Sequence, residues 1–536
     1  MHWPGIFLLL CTITRDAYAN YPFPQNPKPL HEVFQVDLRF DPAHPERYPS
    51  SCARLQPGAN NPQINAFGGR PLYNARADFH ERDANMLNHM WFQTYAMLSI
   101  ARAAIWPGNY AVPQIYSLVY SFFGIWPELD EADKEPAEGD KVLLNKLRAR
   151  YEGVQNIMEH SQADGPNKPK LFCGGAYWQI QLAGSPARQR DGKIIKRRDG
   201  TSVTLREWEQ QHGRNFDASW YLWFDIDYPS GNEKGYIVLD KNDHPPDPAS
   251  QPYPWPLAAN GQPDFCLEAV YAQVLHMATP PSRRGTDAWH IADHIILCPR
   301  SFTTYPVNIH DLDRTARQNE GSNGKVGTHI DTLDLPGTTL LHELHHVAHK
   351  DDSDDALPWF PKRNPDTVTG VISKDFPEFK SGFTQSRVRH AAQGAMQSMS
   401  IALYETAKPV TEDYSVHSVF NPESAAWFAR AAHLTMQTQQ DWSTGFCKPW
   451  DTPPLQGPLA PIIESCMSEI AGAKHFGNIL KSNTTKYFED VVNNNTSKYF
   501  ESSLQSNISL AKAAHGIQNP WEVPLCDIFR HVKIRS

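Results

Sequence analysis

Beyond its N-terminus, this 536-residue chain has no run apolar enough to cross a bilayer. The stretch Ile6 to Ile13 is far shorter than the ~20 residues a spanning helix needs. A basic excess is also missing. With 50 Lys and Arg against 59 Asp and Glu, the formal charge is −9, which excludes the positive footprint of a nucleic-acid binder. Cysteine is scarce. With Cys11 set aside, Cys52, Cys173, Cys266, Cys298, Cys447, Cys466 and Cys526 remain, an odd number, so at least one thiol is free or pairs between chains. Glycosylation sequons are absent until Asn483, Asn494, Asn495 and Asn507, whose clustering marks an exposed polar segment. The acidic run Asp351 to Asp355 lacks the glycine and terminal glutamate of an EF-hand loop, and reads as a solvated loop.

Proline and tryptophan are plentiful, 44 and 15 residues, as expected of long, aromatic-anchored loops on a folded core. The short apolar run followed by Ala17-Tyr18-Ala19 reads as a signal peptide over residues 1–19, so the mature protein is expected to be secreted and free of membrane. A Pro-rich lead over 20–50 precedes a main domain over 51–440, and a glycosylated extension fills 441–536. Met86, Met90, Thr94, Met97 and Leu98 recur at helical spacing and stop at Pro107-Gly108. Ile115, Val119 and Phe122 predict a second helix ending at Gly124, and Leu143, Leu147, Tyr151, Val154 and Met158 a third. Residues 220–224, 235–239 and 294–298 predict strands. Two later helices are expected, from Ala391 to Thr406 and from Pro422 to about Met436.

One pattern carries chemistry. His342-Glu343-Leu344-His345-His346 fits H-E-x-x-H, in which two imidazoles a helical turn apart point at one metal ion. Glu343 is then placed as general base toward water activated by zinc. Leu340, Leu341, Leu344, Val347 and Ala348 give the segment an apolar stripe, and Thr338 or Thr339 is its expected N-cap. His345 and His349 form a second such pair on a neighbouring face, read as solvated or supporting.

Beside H-E-x-x-H, the elements Ser121-Phe122-Phe123-Gly124, Cys266, Ile295 to Phe302 and Asn421 to Ala429 stand in an order that resembles the fungal secreted zincins of the deuterolysin and peptidyl-lysine metalloendopeptidase group, the aspzincins. Ile295-Ile296-Leu297-Cys298-Pro299-Arg300-Ser301-Phe302 is similar to the family's cysteine-bearing strand before the active helix. Cys266, just before Ala269-Val270-Tyr271, looks like its partner. Ser121-Phe122-Phe123-Gly124 resembles the helical lead-in, and Asn421 to Ala429 the closing helix. The resemblance implies an α+β, zincin-like domain, helix-rich with a small mixed sheet, large insertions and an irregular extension. It implies disulfides Cys266–Cys298 and Cys52–Cys173, one catalytic zinc ion, and protein or peptide substrates.

The third zinc ligand has two candidates. The family's ligand is an aspartate in G-T-x-D-x-x-Y-G, which Thr411-Glu412-Asp413 matches locally. Element order instead aligns His390-Ala391-Ala392-Gln393-Gly394 with the D-x-x-Y-G portion, and on topology His390 is preferred. Either alignment replaces the family's oxyanion-binding tyrosine, by Gln393 or by Val416, and only the glutamine amide can donate. The expectation is a secreted zinc endopeptidase. The alternative is a catalytically inactive, zincophore- or allergen-like zinc binder, which the missing tyrosine favours and the retained Glu343 disfavours.

Overall fold

Met90, Met97, Leu98 and Ala101 are fully buried along one side of α2 (Met86–Ala104), as their spacing predicts. The computed structural model describes residues 27–55, 86–106, 113–125, 138–160, 168–241, 253–301, 330–361, 383–385, 394–402 and 418–449, with short breaks inside several of these ranges. Helix α3 (Pro113–Phe123) ends at Gly124, whose φ of +67° suits a residue without Cβ. Leu144, Leu147, Tyr151, Val154 and Met158 form the buried stripe of α4 (Glu138–Glu159), with Leu143 at its margin. Each such side chain contributes about 1.5–3 kcal/mol by burial. Part of the Pro-rich lead is among the described residues. Short helix α1 (Leu30–Val33) and strand β1 (Gln35–Val36) pack there, with the Phe34 ring edge-on to Trp91 and Trp91 Nε1 donating to the Lys28 carbonyl.

The sheet has seven strands in the order β1-β2-β7-β6-β5-β4-β3. They are β1, β2 (Lys170–Phe172), β3 (Gln179–Gln181), β4 (Ser219–Tyr228), β5 (Gly231–Asp240), β6 (Ala272–Thr279) and β7 (Trp289–Leu297). The β1/β2 and β2/β7 pairs are parallel and the others antiparallel, so the sheet is mixed. Helices beside such a sheet are compatible with an α+β class. A short helix, α5 (Leu205–Gln211), is closed by a capping box between Thr204 and Glu207. It packs on a satellite core of Phe216, Tyr221, Trp223 and Tyr236.

Side chains of β6 and β7 alternate between the two sheet faces, with one register shift between Met277 and Ala278. Ala272 and Val274 on β6, with Ile295 and Leu297 on β7, meet the core built by the helices. Leu275, Met277 and Ile296 meet a second core around Trp178, Phe224 and Trp255. Both faces of β6 are covered, which blurs the apolar–polar alternation that marks a strand in sequence. Onto the helix-covered face packs α6 (Pro336–His349), against β6, and α7 (Pro422–Thr438) packs in turn on α6, α2 and α3. The short pairs β8 (Trp359–Pro361) with β9 (Phe383–Gln385), and β10 (Gln440–Asp441) with β11 (Lys448–Pro449), lie outside the main sheet.

Disulfides join Cys52 to Cys173 and Cys266 to Cys298, the two pairings the resemblance implies. Such cross-links suit a protein exposed to an oxidising compartment. Cys447 is buried and donates to Gln440 Oε1, while Cys466 and Cys526 lie outside the described residues. So do the signal-peptide segment, all four sequon asparagines and most of the helix expected from Ala391 to Thr406. Among the described residues no helix is long and apolar enough to cross a membrane.

Candidate metal centre

Helix α6 begins at Pro336, earlier than a threonine cap at 338 or 339 would allow. The reason is tertiary: Gly337 N–H, one of the first-turn donors without an intrahelical partner, donates to Gln93 Oε1 of α2. Thr94 Oγ1 in turn donates to the Gly337 carbonyl. From this anchored start, His342 and His346 fall on one face, with their Nε2 atoms 3.2 Å apart. Asp355 completes a triangle, its Oδ1 lying 3.3 Å from each Nε2. Donors at ~2.0–2.1 Å from a tetrahedral ion lie ~3.3–3.4 Å apart, so the three atoms already have the spacing of one tetrahedral face. This His/His/Asp group can hold a metal ion.

Glu423, in the first turn of α7, orients His342. Its Oε2 accepts from His342 Nδ1 at 2.8 Å, which leaves Nε2 to face the other donors. Its Oε1 accepts from Trp427 Nε1 at 2.7 Å and from Gly394 N–H at 2.9 Å. Gly394 has φ +86°, a conformation that favours glycine and aims its N–H at the carboxylate.

The charged groups of the site shift one another's titration. Burial alone would lower the pKa of His342, but Asp355 and Glu423 outweigh it and raise it well above the ordinary imidazole value. Burial would raise Asp355, yet His346 and His342 hold it well below the ordinary carboxylate value. Glu343 is buried, with its pKa raised by desolvation despite the neighbouring imidazoles. Three carboxylates, from Glu343, Asp355 and Glu423, surround the two imidazoles, an acidic setting compatible with a bound cation.

His342, Glu343 and His346 thus come together as their spacing predicts. His390, Asp413 and Gln393 lie outside the described residues. Among the described residues the third donor is Asp355, not the solvated loop residue its acidic run predicts; its side chain is 37% exposed, yet one oxygen faces both histidines. An acidic residue soon after H-E-x-x-H was the available signal, but five polar and acidic residues in a row hid which one turns inward. The face carrying His345 and His349 is not solvated. His345 is fully buried, edge-on to Tyr151, and burial pushes its pKa well below the usual value, leaving a neutral ring. His349 Nε2 lies 2.8 Å from the Arg150 carbonyl and its ring rests on Gly153, where a Cβ would meet it at 2.7 Å. These histidines are helix-packing groups.

No model of a known protein family, no curated protein and no solved structure matches the chain.

Proposed function

We propose that this protein is a secreted zinc-dependent endopeptidase of the zincin type, related to the aspzincins. The observation that carries the reading is the near-equilateral triangle of His342, His346 and Asp355 donor atoms with Glu343 on the same helix. The donor set of two imidazoles and one carboxylate is the set the aspzincin resemblance implies, although Asp355 stands outside a G-T-x-D motif. Imidazole and carboxylate donors with an open fourth position suit zinc over softer or harder ions.

Zinc held there supplies Lewis acidity that polarises a carbonyl and makes water acidic near neutral pH. The chain's own residues do the rest. Glu343 accepts a proton from the attacking water and returns it to the leaving amine, a double duty its raised pKa supports. Glu423 keeps His342 in the tautomer that presents Nε2, and Trp427 and Gly394 keep Glu423 in place. The disulfides fit an exported protein.

The test uses purified full-length protein, its metal content and cleavage of casein. Wild type is expected to carry one zinc per chain and to cleave. Glu343→Gln keeps the zinc and loses cleavage by ~10²-fold or more, because only the base is removed. Asp355→Ala loses zinc, whereas His390→Ala and Asp413→Ala retain it. A wild type that binds zinc stoichiometrically and cleaves nothing would favour the inactive zinc-binder instead. Full activity in Glu343→Gln would rule out the mechanism.

A further inference from the structure

Residues 184–207, which run from just after β3 into α5, repeat one pattern three times. The octads are Gly184-Ser185-Pro186-Ala187-Arg188-Gln189-Arg190-Asp191, Gly192-Lys193-Ile194-Ile195-Lys196-Arg197-Arg198-Asp199 and Gly200-Thr201-Ser202-Val203-Thr204-Leu205-Arg206-Glu207. Each opens on glycine, carries an apolar fourth residue and closes on arginine and an acid. The hydrogen bonds repeat with the sequence. Ala187 N donates to the Val203 carbonyl, Val203 N to that of Ile195 and Ile195 N to that of Ala187, which closes the three arms into a ring. The bridges Arg188 to Ile194, Lys196 to Ser202 and Pro186 to Thr204 follow the same three-fold order. Two of the turns are Asp-Gly, with positive φ at Gly192 and Gly200, and with Asp191 and Asp199 accepting from Lys193 N and Thr201 N.

The apolar positions tie this unit to the sheet: Ala187 and Leu205 join the core of Phe216, Tyr221, Trp223 and Tyr236. The rest of the unit is basic. It holds seven Lys and Arg against three Asp and Glu, in a chain whose formal charge is −9. Folding makes little use of these charges. Lys193 pairs with Asp191 and Arg206 with Asp217, but 46% or more of every side chain involved is exposed, where ion pairs contribute little. Arg197 pairs with Glu207. Lys196 and Arg198 are exposed, and neither forms an ion pair among the described residues. Three cations in a row repel one another, so the fold alone does not select them.

We propose that this three-armed unit is a docking surface for a linear acidic polysaccharide, whose carboxylates meet the cations from Lys193 to Arg198. The chemistry is complementary: arginine forks pair with carboxylates in two parallel hydrogen bonds, and lysines add point charge. Residues 196–202 are all exposed and include no apolar side chain, which suits a polymer held by charge more than a folded protein held by apolar anchors. A bilayer-binding surface sets exposed apolar side chains beside its cations. Here no large apolar side chain of the described unit is exposed, and Leu182 flanks it singly. The disulfides suit an oxidising compartment, where acidic polysaccharides of cell surfaces and matrices are met. The inference does not depend on the metal centre.

The experiment measures binding of the purified full-length protein to polygalacturonate at low and at physiological salt, with neutral dextran and phosphatidylserine vesicles in parallel. Wild type is expected to bind polygalacturonate and not dextran, and to lose most of its affinity as salt rises, because bound polymer no longer releases counterions as favourably. Lys196→Gln/Arg198→Gln is expected to bind about tenfold more weakly, with Tm unchanged because both side chains are exposed. Lys141→Gln/Arg149→Gln on α4 removes the same charge elsewhere and is expected to bind within about twofold of wild type. Three results overturn the inference: no binding of polygalacturonate by wild type, an equal loss in both double variants, or binding to the vesicles without binding to the polymer. Zinc content and casein cleavage play no part in these readouts, so failure here leaves the peptidase reading as it stands.

Discussion

Glu423 accepts hydrogen bonds from three separate groups, His342 Nδ1, Gly394 N and Trp427 Nε1, and so ties α6, the 394 segment and α7 to one carboxylate. Its value to the site is orientation: an imidazole whose Nδ1–H is held presents its Nε2 lone pair in a fixed direction. Glu423→Ala is therefore expected to weaken zinc binding about 10–100-fold, read by competition with a chromogenic chelator. Binding as tight as wild type would mean that the helix alone aims His342. Position 423 was legible only as part of a helix start after Asn421-Pro422, where an acidic residue commonly serves the helix dipole. Its partner in space, His342, is remote in sequence, and no local pattern announces such a contact.

At the scale of elements, the crossing of α6 on α2 sets where His342 and His346 stand. A Cβ on Gly337 would lie 2.7 Å from Thr94 N, 2.8 Å from Met97 Cε and 3.0 Å from Gln93 C, two of them backbone atoms that cannot give way. Gly337→Ala gains at most ~1 kcal/mol of helix propensity, and overpacking costs ~1–3 kcal/mol. Overpacking should win. The variant is expected to lose stability in urea denaturation and to bind zinc less tightly as α6 moves outward; an equal or higher midpoint would show that α2 yields. The Pro336-Gly337 pair reads in sequence as the break before a helix, and it became the first turn because Gln93 and Thr94 satisfy its polar groups. His345 makes the same point from the other side of α6. A histidine on a helix face reads as polar, but α4 covers it with Tyr151.

Across the whole molecule, the sheet encloses a cationic side chain. Lys170 of β2 lies between two parallel neighbours, fully buried, with Nζ donating to Gln35 Oε1 at 3.0 Å. Burial pushes its pKa from 10.5 down to about 7. Between those values the unfolded chain binds the proton that the folded chain has released, so stability rises with pH across that window. The cost of burying the charge is full below about pH 7 and is gone above about pH 10.5, a difference on the order of 3–5 kcal/mol. Lys170→Met is expected to remove that rise, seen as a difference from wild type in stability measured between pH 6 and 10. Parallel pH curves for the two proteins would show that Lys170 titrates normally.

The sequence by itself determined the described long helices, strand segments within β4 and β5, and the pair His342 and His346 with Glu343, because these depend on spacings of a few residues that the helical and extended backbones turn directly into faces. It also specified cysteines able to form both disulfides. The tertiary structure alone decided that Asp355 joins the two histidines, that Glu423 braces the first of them, and that His345 is buried. Each of these turns on which residue of a polar run or a covered helix points inward. That choice is set by the packing of distant segments, whose combined burial outweighs any single local preference.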